Sequence, residues 1–142
     1  MVQTDDKNKI AEQNDFYDAR VLGITGEHFL SNVRLYHEFD PRHVVRYTFA
    51  VCYSVQFRHA DEQIRDRGKS RWKPENYSFT QIDYFLQDVE IRKQPNENGC
   101  LYQCELDMGI AELSILCEDV KIERLKLAEL TEEETKNIVL PV

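Results

Sequence analysis

The sequence predicts a mainly β, β-rich α+β fold: an antiparallel sandwich or strongly curved sheet of about seven strands with little helix. Two observations lead to this fold class. Residues 45–57 carry an apolar or aromatic side chain at every second position, and several shorter runs repeat with the same period. Alternation with period two places these side chains on one face of a half-buried strand. The strands do not alternate with long helices, which argues against βαβ units.

The first half of the chain contains three predicted strands. Ala19 to Thr25 forms the first, and Asn32 to Phe39 alternates cleanly and forms the second. Asp40-Pro41 then predicts a turn, because proline presets a turn dihedral and cannot continue a ladder. The third strand, Val45 to Phe57, would exceed about 40 Å, and strands of that length usually bulge, so we expect an interruption near its middle.

The second half is predicted to hold the remaining strands and a short helix. Residues 77–91 have spacings that fit either a helix or a strand, and we favour a strand over Leu86 to Lys93. Pro95 and Asn98-Gly99 indicate a turn. Alternation predicts further strands over 102–108, 111–117 and 119–127, and Thr131-Glu132-Glu133-Glu134 matches a capping box that opens a short C-terminal helix.

These elements predict a single domain. We expect a flexible N-terminal segment over residues 1–14, a β-rich domain over 15–128 and a tail or short helix over 129–142. A polar, locally basic insertion is predicted at 58–73. A chain of 142 residues can bury a core without disulfides or metal.

Composition excludes several classes of function. Asp and Glu number 26 against 18 Lys and Arg, a net charge of −8, which argues against a general nucleic-acid binder. The chain starts with no apolar signal region and has no apolar window long enough to span a membrane, so we expect a cytoplasmic protein without membrane contact. In that compartment the four cysteines are expected to be thiols that fill the core.

The negative charge is concentrated in the last third of the chain. Residues 105–134 contain ten acids and three bases, a net of −7. Such a cluster is either a solvated face or a docking surface for a basic partner, which it would steer electrostatically. The candidate partner-binding residues are the acids at strand positions and near the first strand: Asp15, Asp18, Glu105, Asp107, Glu112, Glu118 and Asp119.

No catalytic signature is present. The sequence contains no Gly-rich phosphate loop, no nucleophile elbow and no His-Glu-x-x-His motif, so we expect no catalytic residue, no metal site and no cofactor. His37 and His43 are interpreted as surface and strand-face residues. Two alternatives remain. The first is a small enzyme or ligand-binding β protein with a polar site near Asp15, Asp18 and His37, which would also include His43. The second is a homo-oligomeric structural subunit, for example a homodimer formed through a sheet face.

The segment from Asn14 to Val21 resembles the start of bacterial immunity proteins of the immunity protein 50 type, which begin with Phe-His-Asp-Ala and an apolar strand. The alternating run Val45 to Phe57 and the late element Ile115-Leu116-Cys117-Glu118-Asp119-Val120 follow in the same order, so the resemblance covers roughly residues 15–125. Tyr17 stands where that family usually has histidine. The resemblance implies a non-enzymatic protein that neutralises a cognate toxin, and the acidic surface would suit a basic toxin such as a nuclease.

Overall fold

The computed structural model describes residues 3–4, 6–59, 84–97 and 99–139 of the chain. They form seven strands, two α-helices and one 3₁₀ turn. In chain order these elements are β1 Gln3–Thr4, α1 Lys7–Gln13, β2 Val21–Glu27, β3 Asn32–Asp40, β4 His43–His59, β5 Asp88–Asn96, β6 Gly99–Asp107, β7 Ala111–Lys126, the 3₁₀ turn Leu127–Glu129 and α2 Glu132–Lys136.

All seven strands belong to one antiparallel sheet with the order β1-β5-β6-β7-β4-β3-β2. The predicted β-rich antiparallel fold is therefore confirmed, and of its two predicted forms the described residues adopt a single open sheet, not a sandwich of two. The long strands β4 and β7 pair at its centre, where each has a hydrogen-bonded neighbour on both sides.

The predicted interruption of β4 is confirmed. The register between β4 and β7 shifts between Cys52 and Ser54, and Val51 has a φ of +53°. A positive φ is rare for a β-branched residue, so this backbone marks a true bulge. Val51 and Tyr53 are consequently exposed, although the period-two pattern assigned both to the buried face.

Several element boundaries differ from the predictions. The first strand begins at Val21 instead of Ala19, and residues 88–96 form a strand that starts two residues after the predicted Leu86. The separate strands predicted over 111–117 and 119–127 are one continuous strand, β7. The N-terminal segment contains α1, whose Ala11 is fully buried against the sheet. The insertion predicted at 58–73 lies, after His59, outside the described residues, as do residues 77–83.

The sheet buries apolar side chains on both faces. The larger cluster contains the alternating residues of the central strands, among them Val45, Tyr47 and Phe49, together with Ala11 of α1. The smaller cluster lies on the opposite face, where Leu130 and Ile138 cover one end of the sheet. We call the face with the larger cluster the core face and the opposite face the outer face.

The C-terminal segment approaches the sheet closely at Gly23. A β-carbon at Gly23 would lie only 2.9 Å from the carbonyl oxygen of Asn137, so a side chain there would displace the segment. The N–H of Val139 also donates a hydrogen bond to the carbonyl oxygen of Leu22 at 2.8 Å. The segment that follows β7 is thus tied to the edge strand β2.

Tyr47 offers a test of the core. Its hydroxyl is buried and has no hydrogen-bond partner among the described residues, and burial raises its pKa. An unpaired buried hydroxyl costs about 1–3 kcal/mol, so Tyr47→Phe is expected to leave the free energy of unfolding unchanged or to raise it by about 1 kcal/mol. Urea unfolding followed by circular dichroism measures this change.

Tyr36→Phe is the matched control, because the hydroxyl of Tyr36 donates a 2.6 Å hydrogen bond to Glu134. Its removal is expected to lower the free energy of unfolding by about 1–3 kcal/mol. If both substitutions destabilise the protein equally, the hydroxyl of Tyr47 has a partner and the interpretation is wrong.

Candidate functional site

Acidic side chains form two rows across the outer face of β5, β6 and β7. In the first row Asp88 pairs with Asp107, and Asp107 pairs with Glu112. In the second row Glu90 pairs with Glu105, and Glu105 pairs with Ser114. Directly opposed residues of antiparallel strands share a face, with β-carbons about 4.5–5.5 Å apart. We call these five carboxylates, Asp88, Glu90, Glu105, Asp107 and Glu112, the acidic face.

The alternation of each strand explains why the acidic face points away from the core. The residues between the acids are buried in the larger cluster, for example Val89 and Ile91 in β5 and Leu106 in β6. In β7, Leu113 is buried between Glu112 and Ser114. The apolar residues therefore determine the register, and the register places the carboxylates in line.

In the part of the chain that the structure describes, two arginines form ion pairs with the acidic face. The guanidinium group of Arg58 in β4 forms a 2.7 Å ion pair with Glu112, and that of Arg92 lies 2.8 Å from Glu90. All four side chains in these pairs are well exposed, so the pairs contribute little to stability. Among the described residues, five carboxylates against two guanidinium groups leave an excess of negative charge on this surface.

Polar neighbours orient part of the acidic face. The side-chain amide of Gln103 donates to Glu105 at 2.8 Å, and the hydroxyl of Ser114 donates to the same carboxylate at 3.0 Å. One oxygen of Asp107 accepts the N–H of Gly109 at 2.8 Å, which stabilises the turn into β7. Glu105 is therefore held in place, while Asp107 and Glu112 are exposed to solvent.

The structure brings together only some of the candidate partner-binding residues. Glu105, Asp107 and Glu112 lie side by side in the acidic face. Glu118 and Asp119 are exposed farther along β7, where Asp119 pairs with Ala50 beside the bulge. The remaining two candidates are not in these rows: Asp15 and Asp18 lie in the connection between α1 and β2.

Sequence reasoning missed Asp88 and Glu90. The predicted strand over residues 86–93 already contained the necessary signal, because Val89 and Ile91 alternate with these acids. The count of charges began at Glu105 and so omitted them. Their membership in the acidic face follows from the pairing of β5 with β6.

The predicted alternative polar site includes Asp15 and His37, and Asp15 is close enough to His37 to interact with it electrostatically. The interpretation of His37 as a surface residue is wrong, because its side chain is fully buried. Its Nδ1–H donates to the carbonyl oxygen of Glu38 at 2.7 Å, and burial lowers its pKa to about 4. His43 has a separate partner, because its Nδ1 lies 2.8 Å from the carboxylate of Asp40.

A second polar cluster lies at the other end of the outer face, around Glu134 of α2. Its Oε2 accepts hydrogen bonds from the hydroxyl of Tyr36 at 2.6 Å and from Arg46 at 2.7 Å, and Arg34 lies 3.9 Å away. Arg46 also donates to Glu123 at 3.0 Å. The Glu134 carboxylate thus joins α2 to strands β3, β4 and, through Arg46, β7.

The pKa of Glu134 reflects these contacts. Burial alone would raise it, but the hydrogen bonds from Tyr36, Arg46 and the N–H of Thr131 outweigh burial and hold the pKa at about 2. The same carboxylate also pairs with Thr131 in a capping box, so the predicted capping box is confirmed. Because the Glu134 carboxylate is buried and accepts its hydrogen bonds from within the protein, we assign the cluster a structural role. Nε of Arg46 is buried and has no partner among the described residues.

Two negative observations apply to the described part of the chain. Within it, no group of three or more histidine, cysteine, aspartate or glutamate side chains is arranged to hold a metal ion. No helix there is long and apolar enough to cross a membrane.

The fold and the site together define a small antiparallel β protein that presents a broad charged face. The family model of Immunity protein PIM7 matches residues 6–124, and the chain belongs to this family. The match confirms the immunity-protein class that the sequence resemblance indicated, and the family supports a non-enzymatic immunity role in general. It does not reach α2, where Glu134 lies.

Other comparisons add less. No curated protein matches the chain significantly. One similar solved structure is the crystal structure of an uncharacterized protein from Neisseria gonorrhoeae, with 12% sequence identity and a TM-score of 0.46. The match covers 88% of this chain and 99% of that one.

Proposed function

We propose that this immunity protein neutralises its cognate toxin by binding a basic surface of the toxin through the acidic face. The observation that carries the proposal is the alignment of five carboxylates on three adjacent strands. Aligned charges of one sign produce a directional field, whereas the same charges scattered over a surface would not. A basic toxin, such as a nuclease with a phosphate-binding surface, has the complementary charge.

The geometry suits a protein partner. The acidic face lies on the sheet itself, so the partner meets a surface held by paired strands. Exposed charges at the rim of an interface act mainly on the association rate, and salt screens them. Charges of the acidic face are therefore expected to affect the association rate constant as well as the affinity.

Neutralising the acidic face is expected to slow association. The variant E105Q/D107N/E112Q keeps the shape of each side chain and removes three charges. At low ionic strength its association rate constant for the toxin should fall about 10-fold or more, and the difference should shrink as salt is added. Stopped-flow fluorescence with an inactivated form of the cognate toxin domain measures the rate.

A matched variant controls for net charge. E12Q/E97Q/E132Q removes the same number of charges from exposed positions outside the acidic face. If both triple variants slow association equally, only the overall charge matters and the acidic face is not the docking surface. Thermal unfolding of each variant establishes that the fold is retained.

A further inference from the structure

An exposed apolar patch lies beside the bulge of β4. The turn between β2 and β3 carries Phe29, which is fully exposed, and Leu30, which is half exposed. The bulge exposes Val51 and Tyr53, the latter at 61%. Two acids of β7 complete the surface, which we call the bulge patch: Phe29, Leu30, Val51, Tyr53, Glu118 and Asp119.

Direct contacts join the turn to the bulge. The N–H of Cys52 donates to the carbonyl oxygen of Ser31 at 2.8 Å, and the N–H of Val51 donates to the side chain of Asn32 at 3.3 Å. Ala50 pairs with Asn32 on one side and with Asp119 on the other. The apolar side chains and the two acids therefore belong to one region of the surface.

The backbone of the bulge patch is unusual. Phe29, Leu30 and Val51 have φ values of +59°, +66° and +53°, and His28 has +52°. Non-glycine residues seldom adopt this conformation, and runs of three are rarer still. Phe29 and Tyr53 are largely exposed to solvent, whereas the side chain of Leu30 also packs over Gly26. Exposed aromatic side chains rimmed by polar groups are typical of protein-binding sites.

We infer that the bulge patch is the principal affinity contact for the cognate toxin, and that its occupant is a basic surface carrying an apolar pocket. Charge complementarity selects this occupant: Glu118 and Asp119 border the patch, and Glu27 directly precedes the turn. The outward residues of β7 run from Glu112 of the acidic face to Glu118 of the patch, so one partner can cover both. This inference rests on the proposed function and adds the place on the surface that contributes most of the binding free energy.

The two surfaces should differ in their kinetic effects. Truncating a buried aromatic anchor mainly raises the dissociation rate constant, whereas neutralising a rim charge mainly lowers the association rate constant. Phe29→Ala and Tyr53→Ala should each weaken binding of the inactivated toxin domain about 30-fold, chiefly through faster dissociation and with an unchanged salt dependence. Surface plasmon resonance at two ionic strengths separates these effects.

Tyr17→Ala is the matched control, because Tyr17 is an equally large aromatic residue that is 72% exposed in the connection between α1 and β2. It should change the affinity less than threefold. Unchanged binding by Phe29→Ala and Tyr53→Ala, with association still slowed by E105Q/D107N/E112Q, would overturn the inference and leave the proposed function intact.

Two other outcomes overturn the inference in different ways. A wild-type protein that does not bind the toxin domain refutes the proposed function and this inference together. A concentration-dependent dimer that Tyr53→Ala abolishes in light scattering would show that the patch contacts a second copy of the chain instead. Circular dichroism of every variant identifies any loss of folding.

Discussion

Glu134→Ala is expected to lower the free energy of unfolding by about 3–5 kcal/mol, because it removes one member of a buried charged cluster. Arg46 would lose its 2.7 Å partner, and the hydroxyl of Tyr36 would lose its acceptor. Glu134 itself is only 8% exposed, so its removal leaves a charge and a hydroxyl unpaired in a largely buried place. The capping box would also lose its side-chain bond to the N–H of Thr131.

Urea unfolding at pH 7 measures the change, with two comparison variants. Glu134→Gln keeps an acceptor for Tyr36 and Thr131 but removes the charge that Arg46 requires, so its loss should be intermediate. Glu133→Ala removes an exposed neighbour in the same helical turn and should stay within about 0.5 kcal/mol of the wild type. If Glu134→Ala proves as mild as Glu133→Ala, the buried cluster does not anchor α2.

Acid should weaken the same contacts. The ordinary pKa of glutamate in the unfolded chain is 4.5, and in the folded protein that of Glu134 is about 2. The unfolded state therefore takes up a proton first, and stability that is fully present above pH 4.5 is lost as the pH falls toward 2. Glu134→Gln should flatten the stability profile over this window and not above it.

The sequence predicted those features that depend on local pattern. Alternation from Val45 to Phe57 is enough to identify β4, and the Thr131 to Glu134 spacing is enough to place α2. The length of β4 even predicted its bulge. The sequence did not predict which side chains the bulge would expose. The face on which residues after the bulge lie depends on how β4 pairs with β7.

Other features depend on contacts between distant residues. Glu134 meets Tyr36 and Arg46 across 98 and 88 positions of the chain. The capping-box spacing distinguishes Glu134 from Glu133 but does not reveal these distant partners. The acidic face required the register of three strands. For His37 the sequence did contain a signal of burial, because His37 stands two positions after Leu35 and so shares the apolar face of β3.

His37 leads to the second large effect, a loss of stability between pH 6.5 and 4. Burial lowers the pKa of this side chain from 6.5 to about 4, so the unfolded chain binds a proton throughout a range in which the folded protein does not. Protons bound only by the unfolded state favour unfolding. Full titration across this range corresponds to about 3 kcal/mol, of which about 2 kcal/mol should be lost by pH 5.

His37→Phe should remove most of this loss, because phenylalanine keeps a ring beside Tyr47 and cannot titrate. At pH 7 the variant gives up the hydrogen bond to Glu38, worth about 1 kcal/mol, but also removes a buried Nε2 that has no partner among the described residues. The diagnostic quantity is therefore the slope of the unfolding free energy between pH 7 and 5. His28→Asn, at an exposed position, should keep the wild-type slope, and a steep slope that persists in His37→Phe would show that another group controls acid stability.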